Sequence, residues 1–218
     1  MITKVALVLA ALAVLSLAVS GPGTRGRWFH FRVGLALFAL SGLLGAAAAV
    51  TGALAWRDGA MLGAIAALAG VAVMIGPFAG ILGARGKPMI HDITTDLEDP
   101  PSFTVFPVAP FEARVGEIQR KAYPDVKPRL LELSPSDAFA RARAAAESLR
   151  WEIASARAGE GMLEATDTTG WFGFKDDIVV RIRPAGNGSR IDVRSTSRVG
   201  KSDVGKNAKR IREYLGKL

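Results

Sequence analysis

Hydrophobic positions crowd into the first third of the chain. Residues 33–56 and 59–84 run 24 and 26 residues without a charged side chain, separated only by Arg57 and Asp58. Each run exceeds the roughly 20 residues that cross a bilayer as a helix. The pattern therefore predicts membrane helices over 33–56 and 60–83, joined by a tight turn. A shorter apolar run at 5–19 follows Lys4. It reads either as a third membrane helix over 5–20 or as a signal peptide cleaved after Ser20, with Ala18 and Ser20 as the small residues. The apolar segments that follow it favour the retained helix, giving a membrane region over 1–87. Small residues recur four apart (Ser41 and Gly45, Gly45 and Ala49, Gly76 and Gly80), a spacing that lets helix backbones approach closely.

After residue 87 the periodicity changes. Pro100, Pro101, Pro107 and Pro110 mark residues 88–111 as an extended linker. Residues 112–218 then read as a soluble α+β domain: a short helix near 112–122, a strand at 129–133, and a helix begun by Ser134, Pro135 and Asp137. That helix carries Phe139, Ala142, Ala146 and Leu149 on one face. Strands are expected near 151–157, 161–167, 176–183 and 189–196, and a closing helix near 203–216 with Val204, Ala208, Ile211, Leu215 and Leu218 as its apolar stripe. Helices flanking a run of consecutive strands predict an antiparallel sheet of about four to five strands with helices on one face. Strand alternation places Ile178, Val180 and Ile182 with Ile191 and Val193 on the core side. Asp177, Arg181 and Arg183 then share the other side with Arg190, Asp192 and Arg194. A two-residue type II′ turn at Gly186-Asn187 sets Arg181 opposite Asp192.

Charge divides the soluble part again. Residues 85–177 hold 12 basic and 16 acidic side chains, whereas 178–218 hold 11 and 3. A basic terminus attracts anions, here phospholipid head groups or an acidic partner. Nucleic acid is disfavoured, because Tyr214 is the sole aromatic of that stretch and no binding motif accompanies it. The chain has no cysteine, which excludes disulfides, thiolate metal sites and cysteine nucleophiles. With three spans, Arg25, Arg27, Arg32, Arg85 and Lys87 lie on the side of the soluble domain, against Lys4 and Arg57 on the other. Counted by the positive-inside rule, the domain faces the cytoplasm.

Several segments carry a family resemblance. They are His91-Asp92-Ile93-Thr94-Thr95-Asp96, Tyr123-Pro124-Asp125, Phe174-Lys175-Asp176-Asp177 and Asp192-Val193-Arg194-Ser195-Thr196-Ser197-Arg198-Val199-Gly200 with Ser202-Asp203. In this order, over about 88–218, they resemble the bacterial family catalogued as domain of unknown function 1499, in a version with N-terminal membrane helices. The resemblance implies no reaction. Some similar proteins look like exported lipoproteins, which implies the opposite side of the membrane from the charge count, so the side of the soluble domain stays open.

Standard catalytic signatures are missing, and no catalytic residue is assigned. The leading candidate site is Arg194, Arg198, Gly200, Lys201 and Ser202, where a strand hands over to the last helix. Ser202 is expected as the N-cap, and the two arginines could grip a phosphate or carboxylate beside free helix N–H groups. The competing reading pairs Arg198 with a nearby carboxylate such as Asp176. His91, Asp92 and Asp96, with Glu98 and Asp99, could hold a hard cation, but Asp92 and Asp96 as turn caps is the preferred reading. Asp176 and Asp177 are neighbours in a strand, so they point to opposite faces and pair with basic residues more readily than they form an acid/base couple. Trp171-Phe172-Gly173-Phe174 is expected in core or edge packing, with docking against the membrane helices as the alternative. No metal or cofactor is expected. The chain reads as a multi-pass protein of the bacterial inner membrane that binds or assembles rather than catalyses. Its expected partners are the bilayer, an anionic lipid or another membrane protein. The competing function is a hydrolase or lipid-modifying enzyme built on the acidic residues near His91 or Asp176.

Overall fold

The computed structural model describes residues 1–218, which form two compact units: residues 1–85 with 169–173, and residues 86–168 with 174–218.

The first unit contains three helices, α1 (Ile2–Arg25), α2 (Phe31–Arg57) and α3 (Met61–Ala84), all long and apolar enough to cross a membrane. Helix α1 continues five residues past its expected end, through Gly21, Pro22 and Gly23. Gly21, Pro22 and Gly23 do not end the helix here. Ser20 and Thr24 add side-chain bonds to the carbonyls of Leu17 and Ser20, both 2.7 Å. Helices α2 and α3 meet at glycines. A Cβ on Gly52 would stand 2.6 Å from Ala67 N, and one on Gly63 would stand 2.7 Å from Gly52 O. The crossing runs through Gly45, Gly52, Gly63 and Gly70; Gly76 and Gly80 only face the Phe38 ring. Loop 169–173 is part of this unit. Trp171 donates to Ser20 Oγ at 3.4 Å, Phe172 meets Phe38 edge-on at 5.4 Å, and Arg25 donates to Gly170 O at 2.7 Å. Trp171 and Phe172 thus pack on the apolar helices, the alternative to the core packing expected for them.

The second unit is a six-stranded antiparallel sheet with helices. Its strands are β1 (Asp92–Thr94), β2 (Arg129–Leu131), β3 (Glu152–Arg157), β4 (Met162–Thr168), β5 (Lys175–Ala185) and β6 (Gly188–Ser197). Strands β3 to β6 form a meander, and the outer edge of β6 is shared by β1 at residues 194–196 and β2 at 189–191. The sheet thus gains a strand from the stretch expected to be linker. Three residues are too short for periodicity to register, yet ten-residue β6 would otherwise expose a row of unpaired backbone groups.

The β5–β6 hairpin has the expected register: Arg181 opposes Asp192 and Ala185 opposes Gly188. Gly186 turns the chain at φ 54°. Ile178, Val180, Ile182, Ile191 and Val193 enter the core. On that side lie α5 (Pro135–Ser148), capped by Ser134 as expected, and α6 (Lys206–Leu215). Helix α6 starts three residues later than expected, because Val204 and Gly205 take positive φ angles of 55° and 79°. Val204 is exposed; of the expected stripe Ala208, Ile211 and Leu218 are buried and Leu215 packs against the core, and Tyr214 joins them. Tyr214 stacks on Trp151 at 4.8 Å and donates to Ala142 O at 2.9 Å; burial pushes its phenol up. The core side also holds a polar knot. Arg210, 3% exposed, pairs with Asp167 and Asp176, while Asn207 bonds Ser195, Ser197 and His91 O.

Helix α4 (Ala113–Ala122) closes the free edge of β1 with one side chain. Gln119 accepts from Thr94 N at 3.0 Å and donates to Thr94 O at 2.5 Å, imitating a strand. Gln119→Leu keeps the size and orphans both groups. Equilibrium denaturation of the full chain in mild detergent should then show a loss of about 2–3 kcal/mol; no loss would mean the β1 edge is solvated.

Candidate functional site: a groove beneath a proline-rich strap

Strand alternation loads the non-core face of the sheet with polar groups: Glu164 and Thr166 on β4, Asp177, Arg181 and Arg183 on β5, Arg190, Asp192 and Arg194 on β6. Exposure would be their ordinary state. Instead residues 97–111 lie across them as a strap, and Glu164, Asp192 and Arg194 are at most 2% exposed.

Proline denies the strap a regular hydrogen-bond ladder, so its remaining N–H groups need other acceptors. Glu164 provides them. Its carboxylate accepts from Thr104 N at 2.9 Å, Val105 N at 3.0 Å and Phe106 N at 3.4 Å, and from Thr104 Oγ1 at 2.5 Å. Arg194 holds the strap at two further points, donating to Ala109 O at 2.8 Å and Pro101 O at 3.4 Å. The same guanidinium grips Asp92 bidentately at 3.0 and 2.7 Å and lies over the rings of Phe103 and Phe111. A second knot ties the start of the strap, where Arg181, Arg183 and Arg190 converge on Asp96 and Asp192. Asp96 also caps its own turn, accepting from Glu98 N and Asp99 N. Burial alone would push its carboxyl up. The Asp99 N–H, the Arg190 guanidinium, the Glu98 N–H and the Arg181 guanidinium outweigh burial and hold it below the ordinary value.

Between the strap and the ends of β1, β5 and β6 runs an open groove of about 690 Å³. Its walls are apolar, from Phe106, Pro107, Val108, Ala109, Pro110 and Val115. His91, Asp92, Asp177, Thr196, Ser197 and Arg198 supply its polar side, with Glu112 also lining it. A smaller recess of about 420 Å³ shares His91, Asp92, Glu112 and Val115 with it and adds Arg114 and Lys201.

The residues singled out in the sequence separate here. Arg198 lines the groove, gripping Asp177 at 2.8 and 2.7 Å, and that bond holds its guanidinium pKa above the ordinary value. The partner is Asp177, on the same face, and not Asp176, which alternation sends to Arg210 in the core. Arg194 is buried beneath the strap, so the two arginines grip separate carboxylates. Gly200 turns the chain at φ 93° outside the groove, and Lys201 lines the recess. Ser202 is not the N-cap. Its Oγ bonds Pro88 O and Val204 N, while Asp203 takes the N–H groups of Gly205 and Asn207 at the start of α6. The turn at Gly205 moves the helix start beyond Ser202's reach. His91 lines both cavities, with Nδ1 buried and without a hydrogen-bond partner. No three acidic or imidazole side chains cluster closely enough to hold a metal ion. Glu164 and the strap escaped sequence reasoning: an acid between Leu163 and Ala165 looks like any solvent-facing strand position. The one available signal was Phe103, Phe106 and Phe111 interleaved with prolines, since aromatic rings at that density favour burial.

Residues 92–218 match the family model described as "Protein of unknown function (DUF1499)". Among curated proteins and solved structures, nothing matches the chain.

Two measurements check the strap. Glu164→Ala should speed amide hydrogen exchange at residues 104–106 by at least about tenfold, since each N–H loses a charge-assisted bond; unchanged exchange would show that other groups hold the strap. Asp96, with its folded pKa lowered, adds stability that is present above the unfolded carboxylate value of about 3.9 and lost as pH falls through the folded value. Asp96→Asn should flatten that acid limb in a stability-versus-pH titration, and an unaltered limb would remove Asp96 from it.

Proposed function

The chain belongs to the DUF1499 family of unknown function, and from that premise we propose that it is a membrane-anchored binding module of the bacterial cell envelope whose ligand lies in the strap groove. The observation that carries this reading is the composition of the groove: six apolar residues along its walls, with the hydrogen-bonding groups gathered on its sheet side. Ligand sites are commonly built this way, with apolar surface for affinity and a few polar groups for orientation. The charged groups at the floor support holding rather than turnover. Asp92 and Asp177 each accept a bidentate arginine, which keeps both carboxylates occupied. A general base needs a free lone pair within reach of a substrate proton. His91 bonds no carboxylate that would orient it, unlike the base of a nucleophile–base couple. The three apolar helices supply the anchor, with Arg25, Arg27 and Arg32 gathered at the α1–α2 end of the first unit.

Extraction in mild detergent followed by mass spectrometry tests this. Wild-type protein should carry a small amphiphile at close to one per chain. Val108→Trp, which fills the groove from the strap and touches none of the ion pairs, should carry none. Equal recovery from both proteins, or none from the wild type, would remove the groove as the ligand site. Reporter fusions after Lys87 would assign the side: activity only in the cytoplasm supports the charge count, and activity only after export supports the lipoprotein-like orientation.

A further inference from the structure

Hydrogen bonds already formed in the groove leave an uneven remainder. Both oxygens of Asp92 are taken by Arg194, and both oxygens of Asp177 by Arg198, with Thr166 as a further donor to Asp177. All four of these carboxylate oxygens thus already accept an arginine N–H, whereas several donors remain unused. Arg198 uses Nε and Nη2 on Asp177 and Thr166, so both N–H groups of Nη1 are unused. Its side chain is 42% exposed and stacks over Phe106 at 5.4 Å, which fixes the guanidinium plane beside the apolar wall. Thr196 Oγ1, on the strap side, forms no bond within the protein, whereas Ser197 Oγ accepts from Asn207 on the core side. In His91 the unpartnered nitrogen is the buried Nδ1.

With Asp92–Arg194 and Asp177–Arg198 cancelling, Glu112 is the one unpaired charge lining the groove itself, and Arg114 and Lys201 lie only in the recess. A neutral polar ligand would bring donors that compete with arginine N–H groups for the same carboxylate oxygens. An anion with several acceptor oxygens satisfies the whole set.

We propose that the groove selects an amphiphile with an anionic head, a phosphate or carboxylate, on an apolar chain. The head meets Arg198 Nη1 and the hydroxyl of Thr196, beside His91, and the chain lies along Phe106 to Pro110. This rests on the groove being the ligand site and adds the sign of the ligand's head. It also changes the part played by Arg198. Asp177 occupies one edge of the guanidinium and holds it still, so the other edge is offered to the ligand at little entropic cost. Arg194 takes no part, because its nitrogens are spent on Asp92 and the strap.

The test uses the full chain in phosphatidylcholine nanodiscs, titrated by calorimetry with octyl phosphate, octanol and inorganic phosphate against empty discs. Octyl phosphate should bind at one saturable site. Octanol should bind at least about tenfold more weakly, the worth of one charge-assisted hydrogen bond. Inorganic phosphate should be weaker by a similar factor for want of the chain. Val108→Trp should abolish saturable binding. Arg198→Lys keeps the charge opposite Asp177 but loses the second edge of the fork, and should weaken octyl phosphate about tenfold while leaving octanol unchanged. Octanol equal to octyl phosphate would overturn the anionic head and leave the groove as a site. Inorganic phosphate equal to octyl phosphate would overturn the apolar groove, and no saturable binding would overturn both. Replacing phosphatidylcholine by phosphatidylglycerol separates the sources: competition with octyl phosphate supports a bilayer lipid, and unchanged binding supports a diffusible anion.

Discussion

One carboxylate governs what lies above the sheet. Glu164 is completely buried and takes three successive backbone N–H groups of a segment that has no other way to satisfy them. A strap rich in proline cannot extend the sheet and cannot form helix, so without such an acceptor it would remain in water. With it, the strap becomes a second layer. Phe103 and Phe111 then come over Arg194, Phe106 comes over Arg198, and one wall of the groove exists. Arg157 adds positive charge 3.6 Å from the same carboxylate, which offsets part of the cost of removing it from water.

The sheet therefore separates two interiors of different character. Its core side is aliphatic and aromatic, apart from the Arg210 knot. Its strap side is held by ion pairs: Asp92–Arg194, Asp177–Arg198, and the three arginines around Asp96 and Asp192. Buried pairs of this kind add little net stability over well-packed apolar residues, yet breaking one is costly. Their effect is on uniqueness. Slipping β6 against β5 by one residue would turn Asp192 and Arg194 into the aliphatic core and bring Ile191 and Val193 beneath the strap.

Much of this architecture was written in period and spacing. Alternation along 176–183 and 189–196, with Gly186-Asn187 between them, fixed the hairpin, its register and the identity of both faces. Twenty-residue apolar runs gave the helices, because bilayer thickness is a simple ruler. Contacts between distant segments were not legible. Asp92 meets Arg194 across 102 positions, and Thr104 meets Glu164 across 60. Neither acid differs in sequence from an ordinary surface residue. The candidate site was half visible for the same reason. Arg198 and His91 stood out as residue types, but the groove they line is made by prolines that read as linker. The start of α6 was misplaced because Val204 adopts a positive φ that β-branched residues rarely take.

The pairing of β1 with β6 also sets the order of events during synthesis. Strand β6 is the last of the sheet to emerge, and β1 and the strap are the first of this unit to leave the ribosome. At about 5–20 residues per second, the 102 residues between Asp92 and Arg194 take roughly 5–20 s to translate. Throughout that interval the acid of β1 and the phenylalanines of the strap are without their counterparts, while the apolar helices have already been made. Sheets closed by their two ends fold slowly, since loop closure must precede any reward from contact. The stretch that later forms the wall of the groove is thus made long before the strands it covers.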